Sequence, residues 1–393
     1  MTTRVSAQHV ATRIPDLDIL LEALSRRVNA DPYDQHSLSG AVLAVANAEG
    51  ATSVVALGVD RDGVAINEDS LFPISSVSKL ATGLLILRLI DYGMLDLAMP
   101  LGEILPDAVA SCTPGITIGR LLSHTSGLPL EVAHNFSESP GLINYGLGLT
   151  WPGALLEACL TTAPTTKPGL KVQYSNVAFG LLGIVAERAT KCSYKTLLHD
   201  VVLRPLGIEA YVGDLPTRKP ISVTDVPLPY TNNREMEPYN SVIWQEIGAP
   251  WSGVITNVYG LLALVRAYTE GSSFLRAETS QLARTNQTAS LSGGFGTTEA
   301  YLGHSRSNIL VWNPCSWGLA VELQGGRRPH WVPSTMPRSF GQIGSSGCVA
   351  WHDPDSGVSW ALIAARTTEG GWLLRHGGKI AQAALASIKT RKF

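Results

Sequence analysis

The chain has no long hydrophobic run, no cluster of metal-ligating residues and few cysteines, and each shortage removes a class of function. Its most apolar helical stretch, Leu80 to Met94, is broken by Arg88 and Asp91 and is too short between charges to span a bilayer. Near the start, Asp16, Asp18 and Glu22 interrupt Ile19-Leu20-Leu21, so this stretch reads as an amphipathic helix and not as a basic segment followed by an export core. The expectation is a cytoplasmic protein with no membrane partner. Five cysteines, Cys112, Cys159, Cys192, Cys315 and Cys348, are odd in number and lack Cys-x-x-Cys spacing. They argue against a disulfide framework and a zinc knuckle and read as buried reduced thiols. Nine dispersed histidines without His-x-x-x-His spacing give no metal-ligand pattern; His304 and His330 read as structural, and no cofactor is expected. Gly293-Gly294-Phe295-Gly296 is followed by neither a lysine nor a helical pattern, as a phosphate cradle would need. Thirty Lys and Arg balance 32 Asp and Glu for a net charge of −2. With no basic run interleaved with aromatics, a nucleic-acid partner is not expected. A small neutral or weakly polar substrate fits better.

What the chain does have is apolar bulk. At 393 residues and 45% apolar content it can bury a large core as one domain over residues 1–393. Two strand-like runs, Gly40 to Val45 and Thr52 to Gly58, flank a hairpin turn at Ala48-Glu49-Gly50-Ala51. From residue 78 to about 206 the apolar spacing becomes helical, as in Leu80, Leu84, Leu87 and again Val177, Leu181, Ile184. Strand patterns return at Trp317 to Leu323, Cys348 to Trp351 and Val358 to Ala365, before an amphipathic helix from about Trp372 to Lys389. Strands at both ends around a helical middle predict an α+β fold. It has an α/β lobe of residues 1–77 and 207–393 and an inserted all-helical lobe of residues 78–206. The Ser-, Gly- and Thr-rich stretch Thr285 to Asn308 reads as a surface loop.

The most informative element is Ser76-Val77-Ser78-Lys79, at the junction between the apolar Leu71-Phe72-Pro73-Ile74 and the helical pattern. A serine hydroxyl needs a base within hydrogen-bond reach, and three residues along a helix is about one turn. About one such tetrad arises by chance in a chain this long, so companion motifs must decide. Tyr174-Ser175-Asn176 precedes the helix from about Val177. A phenol near a lysine ammonium would ionise more easily, so Tyr174 could carry the Ser76 proton, while Asn176 could hold Lys79 or a substrate carbonyl. The same tripeptide also reads as a turn with a helix N-cap. The second companion is Phe340-Gly341-Gln342-Ile343-Gly344-Ser345-Ser346-Gly347. Its small residues would let a substrate lie against a strand edge, with the Ser76 and Ser345 amides aimed at an oxyanion; it also reads as a glycine-rich turn.

Together these motifs resemble the serine β-lactamase and penicillin-binding-protein-like superfamily, in its class C β-lactamase, family VIII esterase and acyltransferase branch. The resemblance extends to Leu121-Leu122-Ser123-His124-Thr125-Ser126-Gly127-Leu128, Arg204-Pro205-Leu206-Gly207-Ile208 and Trp251-Ser252-Gly253. It implies an antiparallel sheet flanked by helices, an inserted helical lobe and a cleft between them. It also implies Ser76 as nucleophile, Lys79 and Tyr174 as coupled base, and Gly344 and Ser345 on the oxyanion side. His124 would lie in a structural turn; a Ser-His-Asp arrangement using Ser126 stays open, although no Gly-x-Ser-x-Gly elbow supports it. Trp251 and the Trp312 to Trp331 region are candidates for lining an acceptor pocket.

Gln342 departs from the pattern, because relatives acting on β-lactams or peptide C-termini carry Lys or His there. A neutral amide forfeits a charge-assisted bond worth roughly 1.5–3 kcal/mol. The expected activity is therefore acyl transfer from a small ester, thioester or amide to water, an alcohol or an amine. β-Lactam hydrolysis or D-amino-acid peptidase action is the alternative within the family. A slowly turning over sensor is the alternative from another class.

Overall fold

In the computed structural model, residues 14–28, 36–132, 153–226, 234–235, 237–295 and 310–388 are described. Their scaffold is a six-stranded antiparallel sheet. In spatial order its strands are Thr52–Gly58, Gly40–Ala46, Val358–Ala364, Cys348–Asp353, Phe340–Gly344 and Glu322–Leu323. The first two are joined by the hairpin expected at residues 48–51. Asn47 N–H donates to the Ala51 carbonyl at 3.0 Å, and Gly50 takes the positive φ of 90° that this tight reversal needs.

Two cores form because both faces of this sheet are covered. Side chains alternate along a strand, so Val42, Ala44 and Ala46 enter one core while Ala41, Leu43 and Val45 enter the other. This two-sided burial explains why the strands read as continuous apolar runs and not as alternating ones. The second core is closed by the Leu17–Ser25 and Trp372–Ile388 helices. The first holds the helices Ser78–Asp91 and Asn176–Thr190. In Ser78–Asp91 every residue but Arg88 and Ile90 is buried, as a helix that is apolar on nearly all sides requires.

Several expectations need correction. Of the run Trp317 to Leu323 only Glu322–Leu323 is strand. Ala320 turns the chain at φ 62°, because its N–H is taken by the Leu122 carbonyl and that of Leu319 by Ala283, both at 2.9 Å. The stretch Thr285 to Asn308 is not simply a loop. Gly293–Phe295 is a strand, parallel to Val172–Gln173 and antiparallel to Leu310–Trp312; residues 296–308 lie outside the described residues. Cys159, Cys315 and Cys348 are buried free thiols as expected, whereas Cys112 and Cys192 are exposed. Among the described residues no helix is long and apolar enough to cross a membrane.

The Ser78–Asp91 helix is held against the rest of the fold at Gly83. A Cβ there would stand 2.2 Å from the Ala320 Cβ and 2.5 Å from the Tyr268 hydroxyl, which itself donates to the Leu80 carbonyl at 2.8 Å. Gly83→Ala should therefore destabilise the protein by about 1–3 kcal/mol, despite the roughly 1 kcal/mol that alanine gains over glycine within a helix. Thermal melting checks this, and an unchanged or raised midpoint contradicts the close packing.

Candidate active site

Ser76 sits in a short 3₁₀ turn, Ser75–Val77, that leads directly into the Ser78–Asp91 helix. The turn is pinned on both sides. Ile74 N–H donates to the Val254 carbonyl at 3.0 Å, and Ser78 Oγ accepts from Val254 N–H at 3.1 Å. Ser75 holds a left-handed φ of 48°, a strained state for a non-glycine residue, which persists because these contacts over-determine it. One turn on, Lys79 is 0% exposed. Its Nζ lies 3.0 Å from Ser76 Oγ and donates to the Trp251 carbonyl at 3.1 Å. Burial pushes its pKa well below 10.5, opposed only by the Glu131 charge. Burial thus favours the uncharged amine, whose lone pair can accept the serine proton.

Tyr174 follows the Val172–Gln173 strand and is fixed there by its N–H bond to the Gly294 carbonyl at 3.1 Å. Its ring lies 4.4 Å from His124 and 4.5 Å from Phe295, and Lys79 Nζ is 4.7 Å from the ring centroid. The hydroxyl is buried and makes no hydrogen bond of ordinary length. Burial raises its pKa far above 10, Ser76 acts as a hydrogen-bonding neighbour that opposes the rise, and the Glu322 charge adds to it. The expected easing of ionisation by Lys79 is therefore corrected. Desolvation disfavours the charged form of the lysine as well as of the phenol, so Tyr174 rests as a proton donor.

Asn176 does not hold Lys79. Its Nδ2 donates to Glu131 Oε1 at 2.6 Å, while its Oδ1 is buried without a hydrogen-bond partner. Ser175 caps the following helix by accepting from Ala178 N–H at 2.9 Å, the N-cap expected of this tripeptide. On the opposite side, Gly344 allows the Phe340–Gly344 strand to approach the serine turn. A Cβ there would stand 2.4 Å from the Ile74 carbonyl oxygen. Ser345 is exposed, and its hydroxyl lies 2.8 Å from Ser75 Oγ and 2.7 Å from the Tyr239 hydroxyl.

Gln342 is fully buried. Its Oε1 accepts from Ile343 N–H at 3.1 Å, and its Nε2 is unpartnered; none of its surface is exposed. The tryptophans expected to line a pocket are core residues. Trp251 is buried, with its ring where a Gly180 Cβ would meet it at 3.0 Å, and Trp312 and Trp331 are buried 5.9 Å apart. Trp251 serves the site through its carbonyl.

Sequence reasoning missed two groups, Glu131 and Tyr239, and read a third, His124, only as part of a structural turn. His124 is wholly buried and at φ 56°. Its Nδ1 accepts from Ser175 N–H at 3.1 Å and its carbonyl from Gln173 N–H at 2.8 Å, so it braces both sides of Tyr174. Burial, then the Lys79 charge, holds its pKa well below 6.5. Glu131 lies just beyond the His124 to Leu128 run, which could have drawn attention to it. Tyr239, its phenol pushed up to about 12 by burial, had no local signal.

The family model described as Beta-lactamase matches residues 21–384. Penicillin-binding protein 4 of Amycolatopsis lactamdurans is 33% identical over 179 residues, 44% of each chain, so the match spans less than half of that relative. Esterase EstB of Burkholderia gladioli is 30% identical over 281 residues, 62% of this chain and 70% of the esterase. Among solved structures, the protein described as "EstCE1, a hydrolase with promiscuous acyltransferase activity" superposes with a TM-score of 0.67 at 20% identity. It covers 94% of this chain and 99% of that one, a likeness of fold.

An amine that is charged in the unfolded chain up to about pH 10.5 but loses its proton well below that in the folded one makes folding release a proton. Stability should then rise with pH between the two pKa values and fall as pH drops through the folded one. Lys79→Met should flatten that dependence and raise the melting temperature at neutral pH while abolishing acylation. Lys79→Arg, which cannot shed its proton, should lower it. Melting temperature against pH for the three proteins checks this, and a Lys79→Met protein no more stable than the native one contradicts it.

Proposed function

Because the chain belongs to the β-lactamase family, we propose that it is a serine-dependent acyl-transfer enzyme acting on a small ester, thioester or amide, with Ser76 as nucleophile. The observation that carries this reading is the wholly buried Lys79 amine, its pKa pushed down by burial, 3.0 Å from Ser76 Oγ. Lys79 takes the serine proton as Oγ attacks the carbonyl, and the amides of Ser76 and Ser345 receive the oxyanion. As the tetrahedral adduct collapses, Tyr174 gives its proton to the leaving group and recovers one from the Lys79 ammonium, leaving acyl-Ser76. Water, an alcohol or an amine then attacks that ester and the proton moves in reverse, restoring the serine.

Esterase and acyltransferase activities in the relatives' names support this class of chemistry. A neutral, fully buried Gln342 weighs against donors recognised through a carboxylate, and therefore against β-lactam hydrolysis or D-amino-acid peptidase action as the main role. Hydrolysis and transfer use the same groups and differ only in what discharges the acyl-enzyme.

Intact-protein mass spectrometry, within seconds of adding an activated short-chain ester, should show an acyl adduct on the native protein and none on Ser76→Ala. An adduct on both proteins removes Ser76 from the role. Rapid discharge by water identifies an esterase, and discharge only on adding an alcohol or amine identifies a transacylase. An adduct that persists with every acceptor identifies a sensor.

A further inference from the structure

Two residues of strained backbone meet at one hydroxyl beside the nucleophile. Ser75 at φ 48° and Tyr239 at φ 66° both reach Ser345 Oγ, at 2.8 and 2.7 Å. A left-handed backbone is an outlier for a side chain as bulky as tyrosine, and such strain persists only where the surroundings over-determine it. The bonds around Tyr239 do so from both sides. Arg61 Nη1 donates to both carboxylate oxygens of the buried Glu237 at 2.8 Å, and Glu237 Oε2 accepts from Asn240 Nδ2 at 3.1 Å. Asn240 in turn pairs with the Val223 backbone, its Oδ1 accepting from the N–H at 2.8 Å and its Nδ2 donating to the carbonyl at 3.0 Å. Gln245 Nε2 donates to the Tyr239 carbonyl at 3.1 Å, and the tyrosine ring packs edge-on against Trp244. The outcome of all these bonds is the placement of one phenol. Burial pushes it up to about 12, opposed by Ser345 and Ser75 as hydrogen-bonding neighbours, so at neutral pH it keeps its proton and donates, and Ser345 Oγ accepts.

Ser345 and Ser76 belong to different segments, the turn after the Phe340–Gly344 strand and the 3₁₀ turn Ser75–Val77. The oxyanion site takes one amide from each, and its effect depends on their being in place before charge develops. We propose that Tyr239 is a positioning residue of the acyl transfer: by bonding Ser345 Oγ it holds the strand-end turn against the serine turn and so sets the spacing of the Ser76 and Ser345 amides. Tyr174 moves a proton in the reaction, whereas Tyr239 moves none and acts through Ser345. This inference rests on the proposed Ser76 chemistry and adds to it the residue that holds the oxyanion site together.

The test reads the limiting rate of Ser76 acylation by an activated short-chain ester, and the ester concentration giving half that rate, by rapid-quench mass spectrometry. Four proteins are compared, native, Tyr239→Phe, Ser345→Ala and the double variant, each with its melting temperature. Tyr239→Phe removes only a hydroxyl and should lower the limiting rate at least about tenfold, with the half-saturating concentration within about twofold of native, because a displaced donor is felt in the transition state more than in ground-state binding. Ser345→Ala keeps the amide and should show a similar loss. In that background Tyr239→Phe should cost little more, since both changes remove the same bond. A limiting rate unchanged in Tyr239→Phe, or a loss as large in the Ser345→Ala background as in the native one, overturns the assignment while leaving the serine chemistry standing. If Tyr239→Phe does not fold, Ser345→Ala decides alone, and a native limiting rate there overturns the assignment too. No Ser76 adduct on the native protein overturns both.

Discussion

Lys79 lies wholly out of water on a helix that is itself almost entirely buried, and the chemistry of the cleft depends on that placement. An exposed lysine beside Ser76 would carry its proton at neutral pH and could stabilise charge but not accept a proton from the serine. Burial shifts the preference towards the uncharged amine. It does so at a cost in stability of about 1.4 kcal/mol for each unit of pKa displaced, which the surrounding apolar core must offset. Besides Ser76 Oγ, the Trp251 carbonyl is its polar partner among the described residues, and it orients the amine without giving it a counter-charge. The same desolvation keeps Tyr174 a phenol and His124 an uncharged imidazole. The result is a reaction centre in which burial disfavours charge throughout and lifts the Glu131 carboxyl to about 7.

Three separate segments converge on that centre, each locked by backbone contacts remote in sequence. The serine turn is pinned to Val254 and meets the Phe340–Gly344 strand where only a glycine permits the approach. Tyr174 is held between Gly294 and His124. Because the reacting groups rest on sheet and helix ends, not on long loops, their mutual distances are set before a substrate arrives, which favours electrostatic stabilisation of a transition state.

The parts of this arrangement legible in the sequence are those fixed by local spacing. Ser76 and Lys79 are one helical turn apart, the Asn47–Ala51 reversal follows from its glycine, and the terminal helices follow from amphipathic periodicity. The illegible parts depend on partners far along the chain. Nothing near Asn176 says that its amide will choose Glu131 over Lys79, and nothing near Tyr239 says that its hydroxyl will reach Ser345. The strand expected through Trp317 was lost to competing backbone partners at Leu122 and Ala283. The tryptophans misled because aromatic size suits a pocket wall and a core equally well. Gly293–Phe295 hid its strand in a composition that reads as loop.

The most direct measurement of the central claim is the protonation state of Lys79. Carbon NMR of protein labelled with ¹³C at the lysine ε position, with the Lys79 signal assigned by its loss in Lys79→Met, follows that amine through a pH titration. A resonance that titrates well below 10.5 and reports an uncharged amine while the exposed lysines are still protonated is the predicted result. A Lys79 signal that moves together with the exposed lysines near 10.5 would contradict the account, since the group beside Ser76 would then be a cation and not a base.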